Sequence, residues 1–115
     1  MKRADRWFSI YIRNKYGGRG CYTCGATQRQ MQCGHYLSRG LHNIRWEEDN
    51  ARPQCALCNM FHGGSIEDFR TRLVEEIGEE RIAELNRIAR EKISTDRIEE
   101  LATYWREKCK ELGYV

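Results

Sequence analysis

Two cysteine pairs decide the fold that this sequence predicts: Cys21-Tyr22-Thr23-Cys24 and Cys55-Ala56-Leu57-Cys58. The two-residue gap within each pair lets both sulfurs face one ion, and four thiolates match the tetrahedral preference of Zn²⁺. Gly25 directly follows the first pair, which fits a knuckle in which the chain turns back. The pattern therefore predicts a structural zinc site, with a redox dithiol or an iron site as the alternatives.

Length and composition restrict the class of protein. The 115 residues suffice for one domain, and 40% of them are hydrophobic against 32% charged. No apolar run approaches the roughly 18 residues that a membrane-spanning helix requires, and the N-terminus lacks the apolar stretch of a signal peptide. We therefore expect a soluble, cytoplasmic protein with no membrane partner. Because a reducing cytosol keeps thiols reduced, the six cysteines indicate metal binding more than disulfides.

Charge is divided unevenly along the chain. Residues 1–64 carry ten Lys and Arg against four Asp and Glu, a net charge of +6, whereas residues 65–115 carry ten against thirteen, a net charge of −3. The basic half suits a polyanion such as nucleic acid, with ordinary solvated charge as the alternative. We therefore expect a zinc-binding core with a basic N-terminal helix over 1–64 and a helical extension over 65–115, within one compact domain.

The first half predicts one helix and a hairpin. Residues 4–16 show the apolar period of an amphipathic helix. Two short strand-like pieces, Gln30–Cys33 and Asn43–Trp46, flank a glycine-containing loop and predict a β-hairpin. The only proline, Pro53, lies just ahead of the second cysteine pair, where its fixed φ suits the approach to a new helix.

The second half predicts three helices. Ser65 and Asp68 resemble a capping box for the first, and Gly78 is placed to end it. The second is expected over residues 79–92, and the third begins at residues 94–96. The third helix carries an apolar stripe of Ile98, Leu101, Trp105, Cys109 and Leu112. The stripe predicts helix packing, with Cys109 as a small buried hydrophobe, and it is also our candidate interface between two copies of the chain.

Three polar residues lie in order between and beside the cysteine pairs: His35, Asn50 and Asn59. A histidine at the end of a first strand, a central asparagine and an asparagine after the last cysteine resemble the HNH, or ββα-metal, nuclease motif, in a treble-clef-like zinc scaffold. These residue types also suit phosphodiester hydrolysis, because an imidazole can deprotonate water near neutral pH. A divalent ion on oxygen ligands can stabilise phosphate charge.

Longer runs carry a closer resemblance. They are Cys21-x-x-Cys24-Gly25, Gly34-His35-Tyr36, Arg45-Trp46-Glu47-Glu48-Asp49-Asn50, Gln54-Cys55-x-x-Cys58-Asn59 and Ile77-Gly78-Glu79-Glu80-Arg81. Together they resemble the NinG/Rap family of phage recombination endonucleases and, more distantly, the phage T4-type Holliday junction resolvase. The resemblance implies a small α+β fold and a structure-selective endonuclease that cuts branched DNA, such as Holliday junctions and displaced loops, in the host cytoplasm.

The resemblance also implies roles for the three polar residues. His35 would be the general base that activates water, and Asn50 would tie the loop that aims the histidine. Asn59 would give a side-chain oxygen to a catalytic Mg²⁺ or Mn²⁺. The implied products are a 5′-phosphate and a 3′-hydroxyl.

One position departs from the wider motif. Many of its members place an aspartate metal ligand directly before the catalytic histidine, where this chain has Gly34. Asp49, Glu48 and His62 are therefore candidates for the second ligand of the catalytic ion, with a water-rich shell as the alternative. Cys33, just before Gly34, is expected to pack more than to act chemically.

DNA contacts are expected from the basic half. The candidates are Arg6, Arg13, Lys15, Arg19, Arg39 and Arg45, with Lys2 and Arg3 beside them. Because phosphate contacts carry no base information, recognition of DNA shape is expected. Two cuts in opposing strands favour a homodimer, and recombination proteins of phage or host are possible partners. The alternatives are a general HNH nicking endonuclease and a non-catalytic zinc-binding adaptor for DNA or protein.

Overall fold

Helices and a small sheet make up residues 1–114, which the computed structural model describes; Val115, the last residue of the predicted extension, lies outside the described residues. The elements are α1 Lys2–Tyr16, β1 Met31–His35, α2 His42–Arg45, β2 Ala51–Cys55, α3 Ile66–Ile77, α4 Glu79–Ile88 and α5 Thr95–Leu112. A π-helical turn, Leu57–Phe61, follows β2, and short 3₁₀ turns lie at Gly17–Arg19 and Glu48–Asn50. The predicted small α+β class is confirmed. No helix among these residues is long and apolar enough to cross a bilayer.

The first and last helices form the main core. Phe8 and Tyr11 of α1 pack on Trp105 of α5, with ring centroids 5.1 and 4.6 Å apart. Cys109 is fully buried and its thiol donates to the Trp7 carbonyl oxygen at 3.4 Å, so its predicted packing role is confirmed. The two ends of the chain therefore meet, and α1 lies between α5 and the sheet.

The predicted hairpin is correct only in its first strand. β1 pairs antiparallel with β2, which begins at residue 51, in a register that sets Gln32 opposite Gln54. The second predicted strand, Asn43–Trp46, is wrong: residues 42–45 form the helical turn α2. A four-residue apolar pattern cannot distinguish a strand from a helical turn, and the polar residues of β2, all buried, disguise the true strand.

Pro53 was expected on the approach to a new helix, and it does precede the helical turn Leu57–Phe61. It lies in the middle of β2, opposite Cys33. A proline is tolerated in an edge strand because its missing N–H faces away from the partner strand. Its carbonyl oxygen accepts a hydrogen bond from the Tyr22 N–H at 2.8 Å. The proline therefore joins the first cysteine pair to the sheet.

The helices of the second half lie where expected, with corrections at their ends. Ser65 precedes α3, but it has φ +51° and makes no side-chain cap, because a capping side chain needs an extended backbone. Gly78 ends α3 as predicted. Helix α4 ends at Ile88 instead of residue 92; the Ile88 carbonyl oxygen accepts from the Asn43 side chain at 2.9 Å. Ser94, one of the three residues at which this helix was expected to begin, caps α5 by accepting the Arg97 N–H.

The apolar stripe of α5 is used within the chain. Trp105 and Cys109 are buried against α1, while Ile98 and Leu101 pack partly against the same core. Leu112 is 44% exposed. Helix α1 therefore covers most of the stripe within the chain, and an interface between two copies at its exposed part stays a prediction.

The α1–α5 core predicts the first mutational result. We expect Trp105→Ala to lower the free energy of unfolding by about 3–5 kcal/mol, since it removes a large buried side chain between two helices. The neighbouring Tyr104 is 53% exposed, so Tyr104→Ala is the control and is expected to cost less than about 1 kcal/mol. Urea denaturation of both variants measures the difference. Equal losses would contradict the packing described here.

Candidate functional site

The two cysteine pairs meet in one cluster. The sulfurs of Cys21, Cys24, Cys55 and Cys58 all lie within 4.8 Å of one another. Two of them, on Cys24 and Cys55, are 3.8 Å apart, which is close to the edge of about 3.8 Å that a tetrahedron with Zn–S distances near 2.3 Å requires. The four sulfurs can therefore hold a metal ion such as Zn²⁺.

The backbone around the first pair forms the predicted knuckle. The Gly25 N–H donates to the Cys21 carbonyl oxygen and the Cys21 N–H donates to the Ala26 carbonyl oxygen, both at 2.9 Å. Gly25 has φ +78°, a left-handed conformation that glycine adopts without steric cost. This turn brings both sulfurs of the pair to one side.

The surroundings of the cluster favour a thiolate at Cys55. A hydrogen bond from the Cys58 backbone lowers the pKa of the Cys55 thiol, burial opposes this, and the Arg29 guanidinium lowers it further. The Arg29 Nη1 lies 3.7 Å from the Cys55 sulfur. Because metals bind the thiolate, these contacts suit a metal ligand.

His35 ends β1 with its ring held in one orientation. Its Nε2 lies 2.8 Å from the Arg45 carbonyl oxygen. Since a carbonyl oxygen only accepts, Nε2 carries the proton and Nδ1 has the free lone pair. Nδ1 is buried and has no hydrogen-bond partner. Burial lowers the pKa of His35 to about 4, so the ring is neutral at neutral pH.

Asn50 fastens the loop between His35 and β2. It is fully buried. Its Oδ1 accepts the Leu37 N–H at 2.8 Å, and its Nδ2 donates to the carbonyl oxygens of Leu37 and Ile44 at 3.1 and 3.3 Å. Ile44 immediately precedes Arg45, whose carbonyl oxygen holds His35. The bonds of this asparagine therefore constrain the backbone that orients the histidine.

Asn59 lies beside His35 on the π-helical turn. Its Nδ2 donates to the Gln32 Oε1 at 2.8 Å, which leaves its own Oδ1 as an acceptor. His35 and Asn59 both line a cleft of about 420 Å³ and an adjoining one of about 300 Å³. The histidine and the second asparagine of the predicted site are therefore brought to the same clefts.

The predicted DNA-contacting residues divide into three groups. Arg6 and Arg39 line the larger cleft together with Lys2. Arg45 is mostly buried, and its Nη2 lies 2.6 Å from the Asp5 carboxylate. Arg39 also reaches Asp5, at 3.2 Å. The positive charge nearest to the histidine is therefore partly balanced by one carboxylate.

The other group lies away from these clefts, towards the end of α1 and beyond it. Lys15 makes a salt bridge to Glu48 at 2.5 Å. The Nε of Arg13 donates to the Ser9 hydroxyl at 3.0 Å. Arg19 lines a separate cavity of about 250 Å³. The structure does not bring these three cations to His35.

The carboxylates proposed as ligands of a second ion are engaged elsewhere. Asp49 accepts from the Nε of Arg81 at 2.8 Å, and Glu48 is bound by Lys15, Tyr11 and Tyr16. His62 is exposed at the end of the π-helical turn. None of Asp49, Glu48 and His62 lines either cleft beside His35, as far as residues 1–114 are described.

Two buried polar residues of β2 were not singled out from the sequence. Arg52 is 1% exposed and binds Glu76 and two backbone carbonyl oxygens, from Glu48 and Ala51. Gln54 is fully buried beneath Gly34. A short run of polar residues does not indicate burial. Gly34, directly before His35, could have indicated it, because a glycine leaves room for a side chain from the neighbouring strand.

Comparison with known proteins identifies the family of this chain. A family model described as "Bacteriophage Lambda NinG protein" matches residues 1–114. The chain belongs to the NinG family. It is 30% identical over 87 residues to the protein ninG of Escherichia phage lambda and, over the same length, to that of Escherichia phage 933W. Each match covers 74% of this chain and 43% of the relative.

A longer match is found to the ninG protein of Salmonella phage P22. It is 28% identical over 118 residues, covering 97% of this chain and 57% of the relative. This member of the NinG family thus spans about half of the length of the curated relatives it matches. No solved structure matches it.

The cysteine cluster predicts the effect of losing one ligand. Zinc binding contributes roughly 10–16 kcal/mol in zinc-finger peptides, which equals or exceeds the whole stability of about 5–15 kcal/mol of a typical domain. We therefore expect Cys55→Ser to unfold the protein and to abolish stoichiometric zinc binding. Cys33→Ala, outside the cluster, is the control and should keep both. Zinc content and circular dichroism provide the measurement, and a folded Cys55→Ser protein would refute the structural role.

The environment of His35 predicts its protonation state. At pH 6 we expect a long-range ¹H–¹⁵N spectrum to show a neutral ring protonated at Nε2, because burial lowers the pKa from 6.5 to about 4. Between about pH 4 and pH 6.5, His35 binds fewer protons in the folded state than in the unfolded state. The stability contributed by this group therefore rises as the pH increases through that window and is lost below it. An imidazolium signal at pH 6 would contradict the prediction.

Proposed function

We propose that this chain is a zinc-stapled ββα-metal endonuclease that hydrolyses phosphodiester bonds in branched DNA. The observation that carries the proposal is the state of His35: Nε2 is bound by a backbone carbonyl oxygen, and Nδ1 is buried, neutral and unpartnered. A ring held in this way is a general base that needs no change of tautomer. The order of β1, β2 and the π-helical turn, with the cysteine cluster at their junction, agrees with such a scaffold.

The proposed chemistry uses this nitrogen. A water molecule gives its proton to Nδ1 of His35 as its oxygen attacks phosphorus. The bond from phosphorus to the 3′-oxygen breaks and this oxygen takes a proton from solvent water, so that the products are a 5′-phosphate and a 3′-hydroxyl; His35 then returns its proton to solvent. A negatively charged phosphate beside the ring raises the histidine pKa, which favours the proton transfer when DNA is bound.

A divalent ion completes the proposed site. Asn59 has a side-chain oxygen at the clefts next to His35, and Mg²⁺ or Mn²⁺ takes such oxygen ligands together with several waters. When bound there, the ion would stabilise negative charge on the phosphate and on the leaving oxygen. Asn50 acts at one remove, by holding the loop whose carbonyl oxygen orients the histidine.

The charges around the larger cleft support a DNA substrate. Lys2, Arg6 and Arg39 line it beside the histidine, and cations of this kind bind the sugar–phosphate backbone without reading bases. Selection would then follow the shape of the DNA, as at a branch point. We also propose that the protein acts as a homodimer, since a four-way junction has two strands to cut, and that it works beside recombination proteins of phage or host.

The competing proposal is a zinc-binding adaptor that binds DNA or protein without cutting. One observation favours it: among residues 1–114, the cysteine cluster is the one group of three or more His, Cys, Asp or Glu ligands that lie together. A catalytic ion at the clefts would therefore have at most two such side chains as ligands. Cleavage that depends on a divalent ion would distinguish the nuclease from the adaptor.

Cleavage of a labelled four-way junction, compared with a linear duplex of the same sequence, tests the proposal. In Mg²⁺ we expect cutting of the junction in preference to the duplex, and none in a chelator of Mg²⁺. His35→Ala should lower the rate by about 10²–10⁴-fold, the usual contribution of a general base, with folding and DNA binding retained. His42→Ala is the control, because His42 lines a separate cleft with Asn43 and Ile93 and should leave the rate unchanged.

Each other outcome has a defined meaning. Equal cutting of both substrates would replace the junction-selective enzyme with a general nicking endonuclease. Binding without cutting in either Mg²⁺ or Mn²⁺ would favour the adaptor. Cleavage by His35→Ala at the wild-type rate would remove the proposed base.

A further inference from the structure

One carboxylate lies in the cleft that is proposed to bind DNA. Asp5 lines the larger cleft together with His35 and Asn59, and it is the only Asp or Glu among the first 46 residues of the chain. A negative charge at this place repels phosphate, so DNA binding alone gives no reason for it. Its contacts indicate a different role.

The Asp5 carboxylate is saturated with hydrogen bonds. Its Oδ1 accepts from Arg45 Nε and Trp46 Nε1, both at 2.9 Å, and its Oδ2 accepts from Arg45 Nη2 at 2.6 Å and Arg39 Nη2 at 3.2 Å. These bonds use all of the roughly four lone-pair sites of an ionised carboxylate. The group is therefore not free to bind a metal ion, and its hydrogen bonds all go to residues near His35 along the chain.

The same carboxylate holds both sides of one peptide group. Arg45 and Trp46 are adjacent, and the peptide group between them carries the carbonyl oxygen that lies 2.8 Å from His35 Nε2. Asp5 binds the side chain before this group by two hydrogen bonds and the side chain after it by a third. A two-pronged pair of guanidinium and carboxylate fixes geometry as well as charge. The direction of the carbonyl group, and with it the orientation of the histidine ring, therefore depends on Asp5.

Partial burial strengthens this contact. The Asp5 side chain is 28% exposed and that of Arg45 only 13%, so salt screens the pair less than it screens an open surface pair. Burial alone would raise the pKa of Asp5, but hydrogen bonds from Arg45 and Trp46 lower it below its usual value of 3.8. Burial and the neighbouring arginines lower the pKa of His35, whereas the charge of Asp5 raises it. The ionised carboxylate therefore also favours the imidazolium that forms when the ring takes a proton.

We propose that Asp5 is a positioning residue for the general base: it fixes the peptide group between residues 45 and 46, so that His35 keeps its proton on Nε2 and presents Nδ1 to the water molecule. The assignment rests on the proposed nuclease function. Asp5 acts through the peptide group and not on the DNA. This role explains why a carboxylate lies in a cleft that three cations also line.

Single-turnover cleavage of the four-way junction at saturating protein tests the assignment, with junction affinity measured separately without Mg²⁺. Asp5→Asn keeps the size of the side chain but sets an NH₂ group against a donor of Arg45. We expect the cleavage rate to fall about 10²-fold, as for a reacting group displaced by roughly 1 Å, while junction affinity stays equal or becomes tighter. A carboxylate that only repelled DNA would give tighter binding and no loss of rate.

The histidine ring supplies a readout that does not depend on cleavage. A long-range ¹H–¹⁵N spectrum of the wild type should show one tautomer, with the proton on Nε2. In Asp5→Asn we expect the tautomer with the proton on Nδ1 to appear beside it, because the carbonyl oxygen of Arg45 is no longer held towards Nε2. A packing defect elsewhere in the molecule would not change this signal.

Two further variants keep the test decisive. Arg45→Lys keeps the charge but replaces the two-donor fork with a single ammonium group, and we expect the same loss of rate and the same mixed tautomers, even if Asp5→Asn folds poorly. Glu99→Gln is the matched control. It removes another contact between an acid and an arginine of α1, Arg3 at 3.1 Å, and Glu99 lines neither cleft beside His35. The cleavage rate and the ring should be unchanged in it.

The outcomes separate this assignment from the nuclease proposal. Cleavage by Asp5→Asn at the wild-type rate would overturn the role of Asp5 and leave the nuclease standing. A single tautomer protonated at Nε2 in both Asp5→Asn and Arg45→Lys would overturn it as well, even with a lower rate. If the wild type does not cut the junction, the nuclease proposal fails, whereas mixed tautomers in Asp5→Asn but not in Glu99→Gln would still establish that Asp5 orients the ring.

Discussion

The contact of four sulfurs is the constraint on which the rest of the molecule depends. The cluster joins a knuckle at residues 21–24 to the end of β2 and to the π-helical turn that carries Asn59. Few apolar side chains surround it, apart from the half-buried Met31, so packing alone holds these segments weakly. A metal ion held by the four sulfurs would replace the missing core there, as small domains with little buried surface commonly require. The cysteine cluster thereby fixes the position of Asn59 beside His35.

A second set of contacts connects the histidine to the N-terminal helix. Asp5 of α1 accepts hydrogen bonds from the Arg45 guanidinium and the Trp46 indole. Arg45 in turn offers its carbonyl oxygen to His35. Its guanidinium therefore holds the backbone that orients the ring, whereas the Arg39 side chain is more than half exposed. Arg45, which the sequence suggested as a DNA contact, thus orients His35 through its carbonyl oxygen.

Sequence patterns predicted the helices and the cysteine cluster well and the sheet poorly. The helices have long apolar periods, and paired C-x-x-C spacing has few geometric solutions, so both signals are strong. Strand β2 contains Arg52, Pro53 and Gln54, which look like a surface loop. They are buried because Glu76, Tyr22 and Gly64 satisfy their polar groups from distant parts of the chain. Only tertiary contacts decide such a strand, and local sequence cannot show them.

Tertiary contacts also change what the charged and polar residues of the sequence suggest. The acidic run at residues 47–49 is prominent, yet Arg81 and Lys15 neutralise it by salt bridges. Gln54 gives no comparable signal in the sequence, because it carries no charge and meets Gly34 across the sheet instead of along the chain. A glycine in a strand can indicate such a contact, because the side chain of the neighbouring strand fills the space of its missing Cβ. Gly34 and Gln54 constrain each other sterically, so a change at either position requires a compensating change at the other.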